Sequence, residues 1–263
     1  MKLEDYHTLY INLAKDEDRK KTVEEDLTKY KINYTRIEAI YGKRLVEEEY
    51  REKISKLLDV NKDLLKPEYW LDRHNFKTMC RYEKSILAKV GCYLSHLYLL
   101  KVALEKGYDK ILVLEDDAKI IGNTEFEIPP DTDIFYIGGY WFKQKDYINL
   151  DQSIIPIDIK SVKICGTYGF ILPNKAAIER TYKIFKSVFL DGKGRDKHKD
   201  WRTGLIRLRA QAPDFHLINF FQKYGKCSIL NPPLIDVRPY ESNINDNRKN
   251  YDLSTSKDFY KTY

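Results

Sequence analysis

Cysteine is scarce and scattered in this chain. The four thiols, Cys80, Cys92, Cys165 and Cys227, show no CxxC spacing, which argues against a zinc ribbon and against a disulfide framework. Cys92 falls in a helical stretch and Cys165 near a strand, where lone thiols act as small core residues. That usage fits a reducing compartment. No apolar run approaches the length of a membrane span, and the opening MKLEDYHTLY is charged where a secretory signal would be apolar. The expectation is a cytoplasmic protein with no transmembrane segment. Phosphate-binding glycine motifs are missing too: there is no GxGxxG after the first strand and no GxxxxGK(S/T), so neither a dinucleotide site nor a P-loop is expected. There is no internal repeat and no low-complexity segment. No basic stripe is interleaved with aromatics, so nucleic acid is not an expected partner.

What is present is an ordinary globular composition over 263 residues, with 46 basic and 40 acidic side chains interleaved and a net charge of +6. The length suits one large domain, 1–263. Thr8–Leu13 alternates as a strand. Asp16 is placed to cap a helix over 17–31, with Val23, Leu27 and Tyr30 as its apolar stripe. Ile37–Ile40 reads as a second strand punctuated by Gly42. Residues 46–88 change character: they are charge-rich, with irregular Leu57, Leu58, Leu64, Leu65, Trp70 and Phe76, and predict short helices forming an insertion or lid. A helix over 92–106, apolar on nearly all sides, is stopped by Gly107. Strands follow at 111–114, 133–137 and 166–172, and Pro173-Asn174 opens a helix to about Val188. The tail 241–263 is polar. Strands alternating with helices predict an α/β fold with a mainly parallel sheet.

The stretch from Gly91 to Ala118, GCYLSHLYLLKVALEKGYDKILVLEDDA, carries the chemistry. Ile111-Leu112-Val113-Leu114 is apolar enough to be covered on both faces. Its end delivers Glu115, Asp116 and Asp117 to the carboxyl edge of the sheet, where open α/β folds bind ligands. Adjacent carboxylates repel unless a cation sits among them, and a hard divalent ion shared with substrate phosphates fits oxygen ligands. Alternation along a strand end predicts Glu115 and Asp117 on one side, with Asp116 facing away or toward a ribose. The bland alternative is an exposed, solvated acidic turn.

Four segments together resemble glycosyltransferase family 25, the lipooligosaccharide and procollagen galactosyltransferase group. They are YINLAKDEDRK from Tyr10, RIEAIYGKRL from Arg36, GCYLSH from Gly91 paired with LVLEDDA from Leu112, and GTYGFILPNKAA from Gly166. APDFHL from Ala212 and PPLIDVRPYESNI from Pro232 are weaker echoes. The resemblance implies a GT-A-type fold, a Rossmann-like sheet flanked by helices with a small helical insertion. It also implies a UDP-sugar donor, Mn2+ or Mg2+ as cofactor, and inverting transfer of a hexose, galactose or glucose, to a hydroxyl of a saccharide or glycosylated protein.

On that resemblance the donor site comprises Asn12, Leu13, Arg19, Glu38 and Ala39 with Ser95, His96, Glu115, Asp116 and Asp117; Glu115 and Asp117 hold metal. Asn12 offers an amide to the base, and Arg19 a planar fork to phosphate or an ordinary surface ion pair. His96 donates to a phosphate, binds a carboxylate of the metal shell, or is simply bonded to backbone. Asp214 matches the family's late aspartate and is the candidate catalytic base, with Asp200 as runner-up. His216 shares a face with Asp214 in an extended segment and is the candidate third metal ligand. Tyr140, Trp141 and Phe142 either stack on a sugar or pack against the insertion. Two competing readings remain: a metal-dependent phosphohydrolase or nucleotidyltransferase using the same acids, and a non-catalytic binding module.

Overall fold

A computed structural model describes residues 1–67, 83–122, 124–142, 153–157, 163–189, 213 and 217–240. Its centre is a seven-stranded sheet in the order β2-β1-β3-β9-β5-β10-β7. The strands are β1 (His7–Asn12), β2 (Tyr34–Glu38), β3 (Ile111–Glu115), β5 (Ile134–Tyr136), β7 (Ile154–Pro156), β9 (Gly169–Leu172) and β10 (Cys227–Leu230). The pairs β1–β2, β1–β3 and β5–β10 are parallel; β9 runs against both β3 and β5, and β7 against β10. Five strands therefore point one way, as the alternating pattern predicts. Two small ribbons, β4 (Ala118–Ile120) with β11 (Ile235–Val237) and β6 (Tyr140–Phe142) with β8 (Lys163–Cys165), complete the described strands.

Period-two alternation sorts the central strands between two cores. Leu9, Ile11, Ile111 and Val113 enter one cluster, beneath α2 (Glu48–Leu58), α3 (Glu83–Glu105) and α4 (Lys175–Lys186). Tyr10, Leu112 and Leu114 enter the other, with Val23 and Leu27 of α1 (Glu17–Lys29). Both faces are covered, which is why β3 reads as an unbroken apolar run.

Helix α3 is already formed at Glu83, nine residues before the start the sequence predicts. Within it, Leu87–Glu105 is long and apolar enough by length and composition to cross a membrane, with 61% of that window buried. The expectation that no stretch reaches span length is corrected accordingly. Its apolar side chains have a partner inside the fold: Val90, Tyr93, Leu94, Leu97 and Leu100 fill the first core, each fully buried aliphatic contributing about 1.5–3 kcal/mol. Gly107 ends the helix at φ +69°, with Tyr108 N–H returning to the Ala103 carbonyl, as a left-handed terminus requires. Near its start, α3 touches the backbone after β2: a Cβ on Gly91 would stand 2.5 Å from Gly42 N and 2.6 Å from Ile40 O. Two facing glycines let a core helix lie directly on a loop at the ligand edge.

Helix α1 occupies 17–29, but the Asp16 side chain makes no capping hydrogen bond. Asn174, by contrast, caps α4 by accepting from Ala177 N at 2.9 Å. The predicted insertion contains α2 and a 3-10 turn, Lys62–Leu65, whose apolar residues Tyr50, Ile54, Leu58 and Leu65 join the main core. Residues 48–65 are thus an integral layer over α3.

Candidate active site

The ends of β1, β2 and β3 lie in register: Asn12 pairs with Glu38, and Ile11 with Glu115. Three strands thus present their carboxyl ends together, and the acidic turn follows directly on the third.

Strand parity decides where the first two acids go. Glu115 continues the Ile111–Val113 face and meets α3; its Oε1 lies 3.1 Å from His96 Nε2 and accepts from the Thr167 hydroxyl. Burial raises its carboxyl, but the bonds from His96 and Thr167, helped by the charge of Arg19, bring it below its ordinary value. Asp116 continues the Leu112–Leu114 face and meets α1. Its Oδ2 accepts from Asn12 Nδ2 at 2.9 Å and its Oδ1 from Arg19 Nη1 at 3.1 Å. Burial holds its pKa up even against those two donors.

Asp117 is treated differently. The strand stops at Glu115, so Asp117 sits in a turn, its carbonyl accepting from Arg238 N at 2.7 Å. Its Oδ1 is buried with no hydrogen-bond partner among the described residues. Burial first, then the charges of Glu115 and Asp116, push its carboxyl up to about 8. A buried acceptor left unpaired between two other acids is costly, and a cation supplied from outside offsets that cost.

The residues around this turn are bonded in a continuous shell. Asn12 is 1% exposed; its amide donates to the Asp16 carbonyl and to Asp116, and its Oδ1 accepts from Arg36 Nε at 2.9 Å. Where an amide offered to the base was expected, the Asn12 amide is engaged within the protein: it donates to the acidic turn at Asp116 and to the Asp16 carbonyl ahead of α1. Arg36 keeps a buried Nη2 without a partner among the described residues. Ser95 accepts from Ile40 N at 2.8 Å and donates to the Gly91 carbonyl, so it fastens the post-β2 loop to α3. Ala39 N donates to the Asn12 carbonyl; Leu13 is partly buried and Glu38 exposed at the same edge. Arg19 lies with its guanidinium 4.9 Å from the Tyr240 ring centroid, which leaves it bracketed by Asp116 and an aromatic face.

Asp200, Asp214 and His216 lie outside the described residues, and of Tyr140, Trp141 and Phe142 only their membership of β6 is described. Sequence reasoning overlooked Thr167, Arg36, Arg238 and Tyr240. Thr167 belongs to the GTYGF segment, and Arg238 and Tyr240 to the RPY of the late echo, so the segments were visible while the contacts were not. Arg238 N–H holds the Asp117 carbonyl, its guanidinium binds Asp26 at 2.6 Å and the Ala118 and Thr22 carbonyls, and the Tyr240 hydroxyl meets Thr22 Oγ1 at 2.7 Å.

A mainly parallel, doubly covered sheet with an acidic turn at the carboxyl end of its central strand defines a GT-A-like α/β protein. The donor set tests well against a hard divalent ion: Asp117 Oδ1 has no partner among the described residues, and Glu115 lies close enough to raise its pKa. The chain belongs to glycosyltransferase family 25, whose description is LPS biosynthesis protein and whose pattern matches residues 6–190. It is 25% identical over 181 residues to a Haemophilus influenzae protein named "Putative glycosyltransferase", an alignment covering 65% of this chain and 55% of that one. The chain thus spans about half the length of that relative. Strands β10 and β11, Arg238 and Tyr240 fall beyond the matched residues, yet they complete the sheet and hold the acidic turn.

Proposed function

We propose that this protein is a metal-dependent, inverting glycosyltransferase that moves a hexose from a UDP-sugar to a hydroxyl of a saccharide or glycosylated protein. The observation that carries the reading is the buried Oδ1 of Asp117, without a hydrogen-bond partner among the described residues, beside Glu115 at the ligand edge of the sheet. Asp117, with the second oxygen of Glu115, would hold Mn2+ or Mg2+. When bound, such an ion stabilises the negative charge that develops on the leaving diphosphate. The protein's own part is orientation. His96 and Thr167 fix Glu115, Asn12 and Arg19 fix Asp116, and Arg238 fixes the backbone of Asp117. Holding the acids in place beforehand avoids reorganising them during the reaction. The Nη2 of Arg36 supplies a cationic donor for an anionic ligand at the same edge. In-line attack also requires a base for the acceptor hydroxyl, and Asp214, with Asp200 second, is the candidate.

The test is release of UDP from a panel of UDP-sugars with and without manganese. Manganese-dependent release from one donor supports the reading and names the sugar. Absence of release from every donor, together with no donor-induced thermal shift, overturns it.

A further inference from the structure

Beside His96 and Glu115 stands a thiol, Cys92, to which sugar transfer gives no role. Cys92 and His96 stand four residues apart on α3, so both project from one face of the helix. Glu115 reaches that same face from the end of β3. The sulfur, an imidazole nitrogen and a carboxylate oxygen of these three residues all lie within 4.8 Å of one another. His96 is 1% exposed, and its ring packs beside Phe170 and Phe185 at centroid distances of 6.3 and 6.4 Å. That packing sets the direction of Nε2 before any ligand arrives. Thr167 donates to Glu115 and orients the carboxylate from behind, as partners of metal ligands do. Cys92 is only partly buried.

The donor set differs in kind from that of Asp117. Oxygen alone suits hard cations, whereas thiolate, imidazole and carboxylate together suit a borderline ion, with a fourth position open to water. We propose that Cys92, His96 and Glu115 form a second cation site, selective for a borderline divalent ion such as zinc over manganese or magnesium. Binding displaces the Cys92 thiol proton to solvent, and the dication balances the thiolate and Glu115. Because Glu115 faces both sites, zinc at this position withdraws it from the hard-cation site. The proposal does not rest on the transferase reading, since binding is read without any donor sugar.

The experiment is a cobalt titration of the full chain after metal removal, followed by absorption spectroscopy. The expected result is a near-ultraviolet thiolate-to-cobalt charge-transfer band that saturates at one ion per chain. Zinc abolishes the band, and a large excess of manganese leaves it. Cys92→Ser removes it while the far-ultraviolet circular dichroism is retained. His96→Gln weakens cobalt binding, and this variant carries the test if Cys92→Ser does not fold. No thiolate band in the wild type overturns the proposal. So does a band that survives Cys92→Ser, which would belong to Cys80, Cys165 or Cys227, and so does unchanged cobalt affinity in His96→Gln.

Discussion

Asp133 and Asp117 sit at opposite edges of one sheet and are handled in opposite ways. Asp133 precedes β5 at the amino edge. Its Oδ1 accepts from Arg180 and its Oδ2 from Lys226 N at 2.8 Å, so the carboxylate ties α4 to the start of β10. Asp117 follows β3 at the carboxyl edge and has a buried oxygen with no partner among the described residues. The same chemical group is a structural tie in one place and an open valence in the other. On the proposed function, the difference separates acids that hold the fold from one kept available for a cation. Asp116 falls on the structural side of that line, with both oxygens bonded to protein groups, while Glu115 stands between the two, its bonds among the described residues running to Oε1 alone.

The largest expected effect breaks the comparison at its open end. Asp117→Asn lowers the rate of manganese-dependent UDP release by about 10³-fold or more, the scale of losing one preorganised charge-stabilising group. It also raises the melting temperature of the metal-stripped protein, because the substitution removes an ionisable group from a site that penalises charge. Activity lost with stability gained is the signature of a ligand site. Asp133→Ala is expected to do the reverse. It removes the Asp133 acceptor from Arg180 and Lys226 N and costs about 1–3 kcal/mol, read as a lower midpoint in urea. Turnover per folded molecule is unchanged. A stabilised Asp133→Ala, or a destabilised Asp117→Asn, would erase the distinction.

Much of this contrast was legible in the residues. The acidic triplet after an apolar strand pointed to the ligand edge. Helix existence was readable from periodicity, and α4 from its Asn174 cap. What could not be read was which acid remains open. Parity correctly separates Glu115 from Asp116, but it extends to Asp117 only if the strand continues, and the strand ends at Glu115. Alternation then says nothing about the third acid. The resemblance placed Asn12 in the donor site; its partners in the fold, Asp116 and Arg36, lie 104 and 24 residues away, beyond any local pattern. Strands β4, β6, β7, β8 and β11 have three residues each, too short for a period to register. Asp16 had the right residue type for a cap, yet its carbonyl, not its carboxylate, is what Asn12 and Lys20 bond.

A third prediction sharpens the comparison through pH. With its pKa pushed up to about 8, Asp117 of the metal-stripped protein keeps its proton across a range where the unfolded chain has released it. The native state then binds more protons than the unfolded state between the ordinary aspartate pKa and about 8. Stability therefore falls as pH rises through that window and levels off above it. Glu115 acts in the other direction: its lowered pKa contributes stability that is lost as pH falls through the folded value. Melting temperatures of wild type and Asp117→Asn, measured with chelator from pH 5 to 9, isolate the first effect. The gap between the two proteins widens toward pH 8, and saturating manganese closes it. A gap independent of pH would mean that Asp117 ionises as an ordinary surface acid.

The smallest expected effect concerns how the structural side of the line is maintained. Tyr240 reaches the site from beyond the family-matched residues and makes two separable contacts, its hydroxyl to Thr22 at 2.7 Å and its ring against Arg19 at 4.9 Å. Tyr240→Phe removes the first and keeps the second, costing about 0.5–1.5 kcal/mol of stability with little change in turnover. Tyr240→Ala removes both. Arg19 then loses an aromatic contact of about 0.5–1 kcal/mol, and the bond from Arg19 to Asp116 is no longer braced from its other side. Because the charge of Arg19 helps lower the carboxyl pKa at Asp116 and Asp117, and, after His96 and Thr167, at Glu115, Tyr240→Ala should shift the pH dependence of melting described above, and Tyr240→Phe should not. Matching pH profiles in the two variants would show that the ring only packs, and that the paired acids keep their geometry without it.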